Sequence, residues 1–182
     1  MRAFILGLVA LGLSATGHAQ FSMAKLQASG LTCAMCARSV YKNLEGLAFI
    51  DSIDTDLDQS SFLLKLKPGK EVDADQIRKK VEDAGFSVAD LRLEGDFGPV
   101  TVGNDRHMTL GGRTYHFLDV PEQTLSGKRS FRLVDRDFLG SKDQKKYAAM
   151  ATVHACYKSG RTEDCCRQAG VKTDGRVYHV TL

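Results

Sequence analysis

The stretch Phe62-Leu63-Leu64-Lys65-Leu66-Lys67-Pro68-Gly69, followed by Asp73-Ala74-Asp75-Gln76-Ile77, changes its hydrophobic period part-way along. Phe62, Leu64 and Leu66 alternate with Leu63, Lys65 and Lys67, which is the period of a strand with one solvated face. Pro68-Gly69 ends that strand. Asp73 with Gln76 three residues on has the form of a capping box, and Ala74, Ile77, Val81 and Ala84 then recur at helical spacing. Gly85 stops the helix, and Ala89, Leu91 and Leu93 alternate again as a strand.

The residues before this stretch repeat the same plan. Ala24, Leu26 and Ala28 alternate in a first strand, and Cys36, Val40 and Leu44 recur at i+4 on one helical face before Gly46. Phe49 to Thr55 reads as a second strand, and Asp58-Gln59-Ser60-Ser61 as the turn into the third. The order from Met23 to Glu94 is therefore βαββαβ. This predicts an α+β, ferredoxin-like domain with a four-stranded antiparallel sheet and both helices on one face.

After Leu93 the character changes. Gly95 to Pro99 reads as a linker, and residues 99–182 as a β-rich C-terminal domain of unassigned role. Val100–Leu110, Thr114–Val120, Ser130–Asp135 and Arg176–Leu182 have strand character, with turns at Gly111-Gly112 and Ser126-Gly127. Lys142–Met150 reads as a helix. This element order suits a small barrel of the OB kind.

At the other end, Arg2, an apolar run from Ala3 to Leu13 and small or polar residues up to Ala19 have the form of an export signal with cleavage after Ala19. The apolar run is shorter than the roughly 20 residues a spanning helix needs. The expected location is outside the cytoplasm, the periplasm in a Gram-negative cell, with no membrane-spanning segment after signal removal. The formal charge of +3 is spread over scattered basic residues, with no basic stripe interleaved with aromatics, so nucleic acid is not an expected partner.

Chemistry concentrates at Gly30-Leu31-Thr32-Cys33-Ala34-Met35-Cys36, where the first strand hands over to the first helix. Small residues bring Cys33 out on a loop and place Cys36 in the first helical turn, so both sulfurs face one exposed point. Orphan N–H groups and the positive end of the helix dipole favour thiolate over thiol there. Thiolates are the soft ligands that select Cu(I) and related ions. Two suffice for Cu(I), whereas structural Zn(II) takes four ligands.

This loop, with the helix that follows it to Leu44, resembles the metal loop of heavy-metal-associated (HMA) domains, a family of copper chaperones, copper-ATPase N-terminal domains and periplasmic mercury-binding proteins. Glu82-Asp83-Ala84-Gly85-Phe86 resembles the family's exit from its second helix, where the aromatic packs beside the metal loop. The resemblance covers about residues 23–94. It implies Cys33 and Cys36 as the metal ligands, thiolate exchange with metal-transport or metal-requiring envelope proteins as the activity, and no catalysis. Leu31 departs from the family's usual methionine, a buried prop that leucine replaces in kind. Thr32 stands where zinc-selective relatives carry an acid, which tilts the expected cargo toward Cu(I), with Hg(II) or Zn(II) as alternatives.

Other readings of the pair stay open: a permanent disulfide, a thiol-disulfide protein of the envelope, or a mercury scavenger. A redox pair of thioredoxin type lacks its flanking Trp and the Gly-Pro between the cysteines; the chain has no Trp. The remaining cysteines, Cys156, Cys165 and Cys166, favour a structural disulfide from Cys156 to one of the other two, with one thiol left over. A second metal site there would draw on His154, His179, His116, Met150 or the His107-Met108 pair, none of which has a recognised metal spacing.

Overall fold

The computed structural model describes residues 20–147, 149, 155–172 and 174–182. The export signal expected at residues 1–19 lies outside the described residues, as do His154 and Met150. The first half contains β1 (Gln20–Ser29), α1 (Ala34–Leu44), β2 (Ile50–Asp56), β3 (Ser61–Leu66), α2 (Ala74–Asp83) and β4 (Ser87–Val102). These strands pair antiparallel in the order β2-β3-β1-β4, the ferredoxin-like arrangement. The apolar faces follow the periods with two one-residue shifts: Ala37 rather than Cys36 is buried on α1, and Val88 rather than Ala89 on β4. Ala37, Val40 and Leu44 of α1 and Ala74, Ile77 and Val81 of α2 join Ala24, Leu26, Phe62, Leu64, Leu91 and Leu93 in one buried cluster. Each fully buried Val, Leu, Ile or Phe there contributes about 1.5–3 kcal/mol. Asp73 caps α2 by accepting from the Gln76 backbone N–H at 3.1 Å, and the Gln76 side chain donates back to the same carboxylate at 3.2 Å.

The linker reading of Gly95 to Pro99 is corrected. β4 runs unbroken through it, pairing with β1 on one edge and with a later strand on the other. Gly95 is buried between strands: a Cβ there would stand 2.5 Å from the Gln20 carbonyl oxygen and 3.2 Å from Phe21 Cα. Pro99 sits at the register shift between Phe97 and Val100, a place where a strand tolerates proline. Glycine and proline here mark a close backbone approach and a bulge; they do not mark a break in the sheet.

The second half extends the same sheet. It contains β5 (His107–Leu110), β6 (Arg113–Phe117), β7 (Gln123–Leu133), a 3₁₀ turn (Arg136–Phe138), α3 (Ser141–Tyr147), α4 (Ala155–Ser159), α5 (Asp164–Gln168) and β8 (Val177–Thr181). The whole eight-stranded order is β2-β3-β1-β4-β7-β8-β6-β5, with β6 and β8 parallel. The sheet is open, with β2 and β5 at its edges, so the expected OB-like closure gives way to edge addition. Gly111-Gly112 forms the tight β5–β6 hairpin, both at positive φ, as a two-residue I′ loop requires. Ser126-Gly127, expected as a turn, lies inside β7 opposite the β4 bulge. β8 is buried on both faces rather than alternating, because it lies inside the sheet between β7 and β6.

Aromatic and polar contacts join the halves. Phe21 of β1 packs edge-on against Phe97, Tyr115 and Phe131, at ring centroid distances of 6.0, 5.5 and 5.8 Å. Arg176 donates to Asp75 at 2.8 Å and to Asp135 at 3.1 Å. The Tyr178 hydroxyl lies 3.2 Å from Asp73, which also accepts from Arg113 at 2.9 Å. Among the described residues no helix is long and apolar enough to cross a membrane.

Candidate metal centre

β1 delivers the chain to the loop through Gly30, whose φ of +84° suits a residue without Cβ. Leu31 and Phe86 are half-buried against the main core and support the loop from below. Cys33 is the N-cap of α1, with extended backbone, and its sulfur accepts the Cys36 backbone N–H at 3.3 Å. The two sulfurs stand 2.7 Å apart. Cys33 is exposed and Cys36 half-buried. The contact with the Cys36 thiol, reinforced by the Cys36 backbone N–H, holds the Cys33 pKa below that of an ordinary thiol. Both sulfurs therefore face one point at a helix start, as the loop pattern predicts. Beside them Met35, at 74 % exposure, and Leu57, at 54 %, present apolar surface to solvent.

The second group of cysteines is also brought together, in a way that spacing in the chain does not reveal. Cys156 on α4 and Cys166 on α5 are buried, and Cys165 is half-buried. No bond forms the disulfide expected between Cys156 and a later cysteine; all three are free thiols. The Cys165 sulfur is 3.2 Å from Cys156 and 3.8 Å from Cys166. Burial pushes the Cys156 and Cys166 thiols up, whereas at Cys165 the hydrogen bonds from its neighbours outweigh burial and lower the pKa.

Three histidines lie in one row under this group. His107 of β5 pairs in register with His116 of β6, and His116 with His179 of β8. The His107 and His116 rings stack at 4.0 Å, and His116 Nδ1 is 3.6 Å from the Cys156 sulfur. His179 is held from behind, its Nδ1 2.9 Å from the buried Asp135 carboxylate. The sequence offers these histidines as further ligands for a second site at the three cysteines, with no spacing that joins them; Asp135 and Arg176, their supports, carry no signal in it.

Residues 25–87 match the family model of the heavy-metal-associated domain. Among solved structures, the yeast copper transporter domain Ccc2a is 28% identical over 36% of this chain and 88% of its own, with a TM-score of 0.33. The CopZ metallochaperone is 25% identical over 37% of this chain and 100% of its own, with a TM-score of 0.35. Oxidized MerP from Ralstonia metallidurans is 21% identical over 38% of this chain and 97% of its own, with a TM-score of 0.34. No match is found among curated proteins. By the family model, the segment from 25 to 87, which runs from β1 through α2 to the start of β4, is a heavy-metal-associated domain.

Proposed function

We propose that the protein binds a soft metal ion, Cu(I), between Cys33 and Cys36 and delivers it to metal-transport or metal-requiring proteins of the cell envelope. The observation that carries this reading is the convergence of two sulfurs at an exposed helix start, one of them with a lowered pKa, inside a heavy-metal-associated domain. Two thiolates give a soft ion enough ligands to be held and leave it open to attack. In transfer, a partner thiolate forms a new sulfur–metal bond, one bond to Cys33 or Cys36 breaks, and the released thiolate is free to take a proton. Exposed Met35 and Leu57 beside the sulfurs supply apolar surface for brief docking. The protein acts as a carrier, not as an enzyme, and the sequence of residues 1–19 directs it out of the cytoplasm.

The test is competitive titration of the reduced protein with Cu(I), Zn(II) and Hg(II), followed by the Cys33→Ser, Cys36→Ser double variant. The loop should take one Cu(I) in preference to Zn(II), and the double substitution should remove that equivalent while leaving the circular dichroism spectrum unchanged. Loop affinity unchanged by the double substitution refutes the reading. A pair that cycles between dithiol and disulfide with an envelope substrate, and takes no metal when reduced, would instead make it a thiol-disulfide protein.

A further inference from the structure

We propose that Cys156, Cys165 and Cys166 form a second, buried soft-metal site, a three-thiolate pocket for Cu(I) with the His116 imidazole beside Cys156. One ligand atom from each of the three cysteines lies within 4.8 Å of the other two, and the same holds for His107, His116 and Cys156. Cys156 is therefore shared by a thiolate triad and by a thiolate–imidazole triad. An ion bound in a plane by three sulfurs at about 2.3 Å requires sulfur–sulfur edges of about 4 Å. The 3.8 Å edge from Cys165 to Cys166 is already close to that value, and the 3.2 Å edge from Cys156 to Cys165 has only to open slightly.

Packing alone accounts for less. A free cysteine behaves as a small hydrophobe, which would explain why Cys156 and Cys166 are buried beside Val177. It does not explain why adjacent residues 165 and 166 both turn their sulfurs toward the thiol of another helix, or why that thiol also meets an imidazole of the sheet. Three separate pieces of backbone, β6, α4 and α5, are needed to bring these donors to one place, and each brings a soft or borderline ligand. The half-buried Cys165 gives the ion a way in. Each thiol that binds releases its proton to solvent, so three thiolates around one Cu(I) carry a net charge of about −2, which solvent reaches at the half-buried Cys165. Whereas Cys33 and Cys36 offer an ion to passing partners, this pocket encloses one.

The experiment uses the full chain, reduced and anaerobic, with the Cys33→Ser, Cys36→Ser variant to isolate the pocket. Titration against a chromophoric Cu(I) chelator should give two equivalents for the parent and one for this variant. X-ray absorption on the variant's copper should show three sulfur neighbours. Adding Cys165→Ser, a change at the half-buried member, should lower the remaining affinity at least tenfold and reduce the sulfur count to two. The proposal is overturned if the folded Cys33→Ser, Cys36→Ser variant takes no Cu(I), or if Cys165→Ser leaves its affinity unchanged. It is equally overturned if Cys156 is found bridged to Cys165 or Cys166 in a disulfide that dithiothreitol does not open. A parent that takes a single equivalent, kept in full by the Cys33→Ser, Cys36→Ser variant, would contradict only the carrier reading of Cys33 and Cys36.

Discussion

Replacing Arg176 by Met tests how the two halves are held together. The guanidinium bridges Asp75 of α2 and Asp135 ahead of the 3₁₀ turn, donates to the Gly160 carbonyl at 3.2 Å, and lies over the Tyr178 ring at 4.3 Å. Its side chain is 21 % exposed and that of Asp135 only 8 %. Removing one partner of a buried pair costs about 3–5 kcal/mol because the other charge is left uncompensated. Two features place Arg176→Met at the low end. Asp135 keeps the His179 backbone N–H at 2.9 Å and the His179 ring, and Asp75 is exposed enough for water to replace its partner. A loss of about 3 kcal/mol in a chain of this size lowers Tm by roughly 6–12 °C. Burial alone would raise the Asp135 pKa, but the His179 hydrogen bond and the charges of His179 and Arg176 outweigh it and hold the carboxyl below its usual value. A depressed carboxyl pKa contributes stability that is present above about pH 4 and is lost as pH falls through the folded value, so the parent's advantage over the variant should shrink in acid. The assay is thermal melting of the reduced parent, Arg176→Met, Asp135→Asn and the double variant between pH 2 and pH 7. A Tm shift below 2 °C for Arg176→Met at pH 7, or strict additivity of the two single changes, would refute the reasoning.

Gly95→Ala should destabilise by about 1–3 kcal/mol, read as a shift in the urea midpoint, because its Cβ would meet β1 backbone that has no flexible end to move; a neutral result would mean that β1 and β4 are further apart than described. A fragment ending at Glu94 keeps β1, β2, β3, both helices and the half of β4 that pairs with β1, and should fold and bind one Cu(I) by circular dichroism and titration. It should melt below the full chain, since Phe21 loses Phe97, Tyr115 and Phe131. Alkylation of Cys33 by iodoacetamide should show a pH midpoint below the free thiol value of about 8.5, and a midpoint at or above that value would remove the stabilised thiolate.

The first half was legible because its information is local. Alternation at Phe62, Leu64 and Leu66, the Asp73 cap and the i+4 stripe of α1 each name their own element, and the elements agree with one another. The metal loop was legible for the same reason: Cys33 and Cys36 are three residues apart, and a helix start fixes where both sulfurs point. The second half resisted because its signals are ambiguous or distant. Gly95 and Pro99 have the composition of a linker, yet one is required by a strand passing close by and the other marks a bulge. His107, His116 and His179 become a row only when β5, β6 and β8 are known to be neighbours. The parallel β6–β8 pair joins residues separated by about sixty positions, and no local period announces it.

β4 explains why this chain does not read as two independent parts. In its first residues it is the closing strand of the ferredoxin-like unit, paired with β1; from Arg92 to Val102 it also pairs with β7. The sheet that presents Cys33 and Cys36 at one end is thus continuous, through β4, β7 and β8, with the strand that carries His116 beneath the three cysteines. An added sheet half of this kind buries an edge of β4 that the βαββαβ unit alone would leave exposed. It also supplies Arg176 and Arg113 to the carboxylates at the start of α2, where Asp73 has to stay ionised both to cap the helix and to accept from Arg113. The C-terminal half is in this sense a structural partner of the metal loop's own domain. α4, which carries Cys156, packs against β8, and Arg176 just ahead of β8 donates to Asp75 of α2, so the cysteine group and the ferredoxin-like unit meet through one strand.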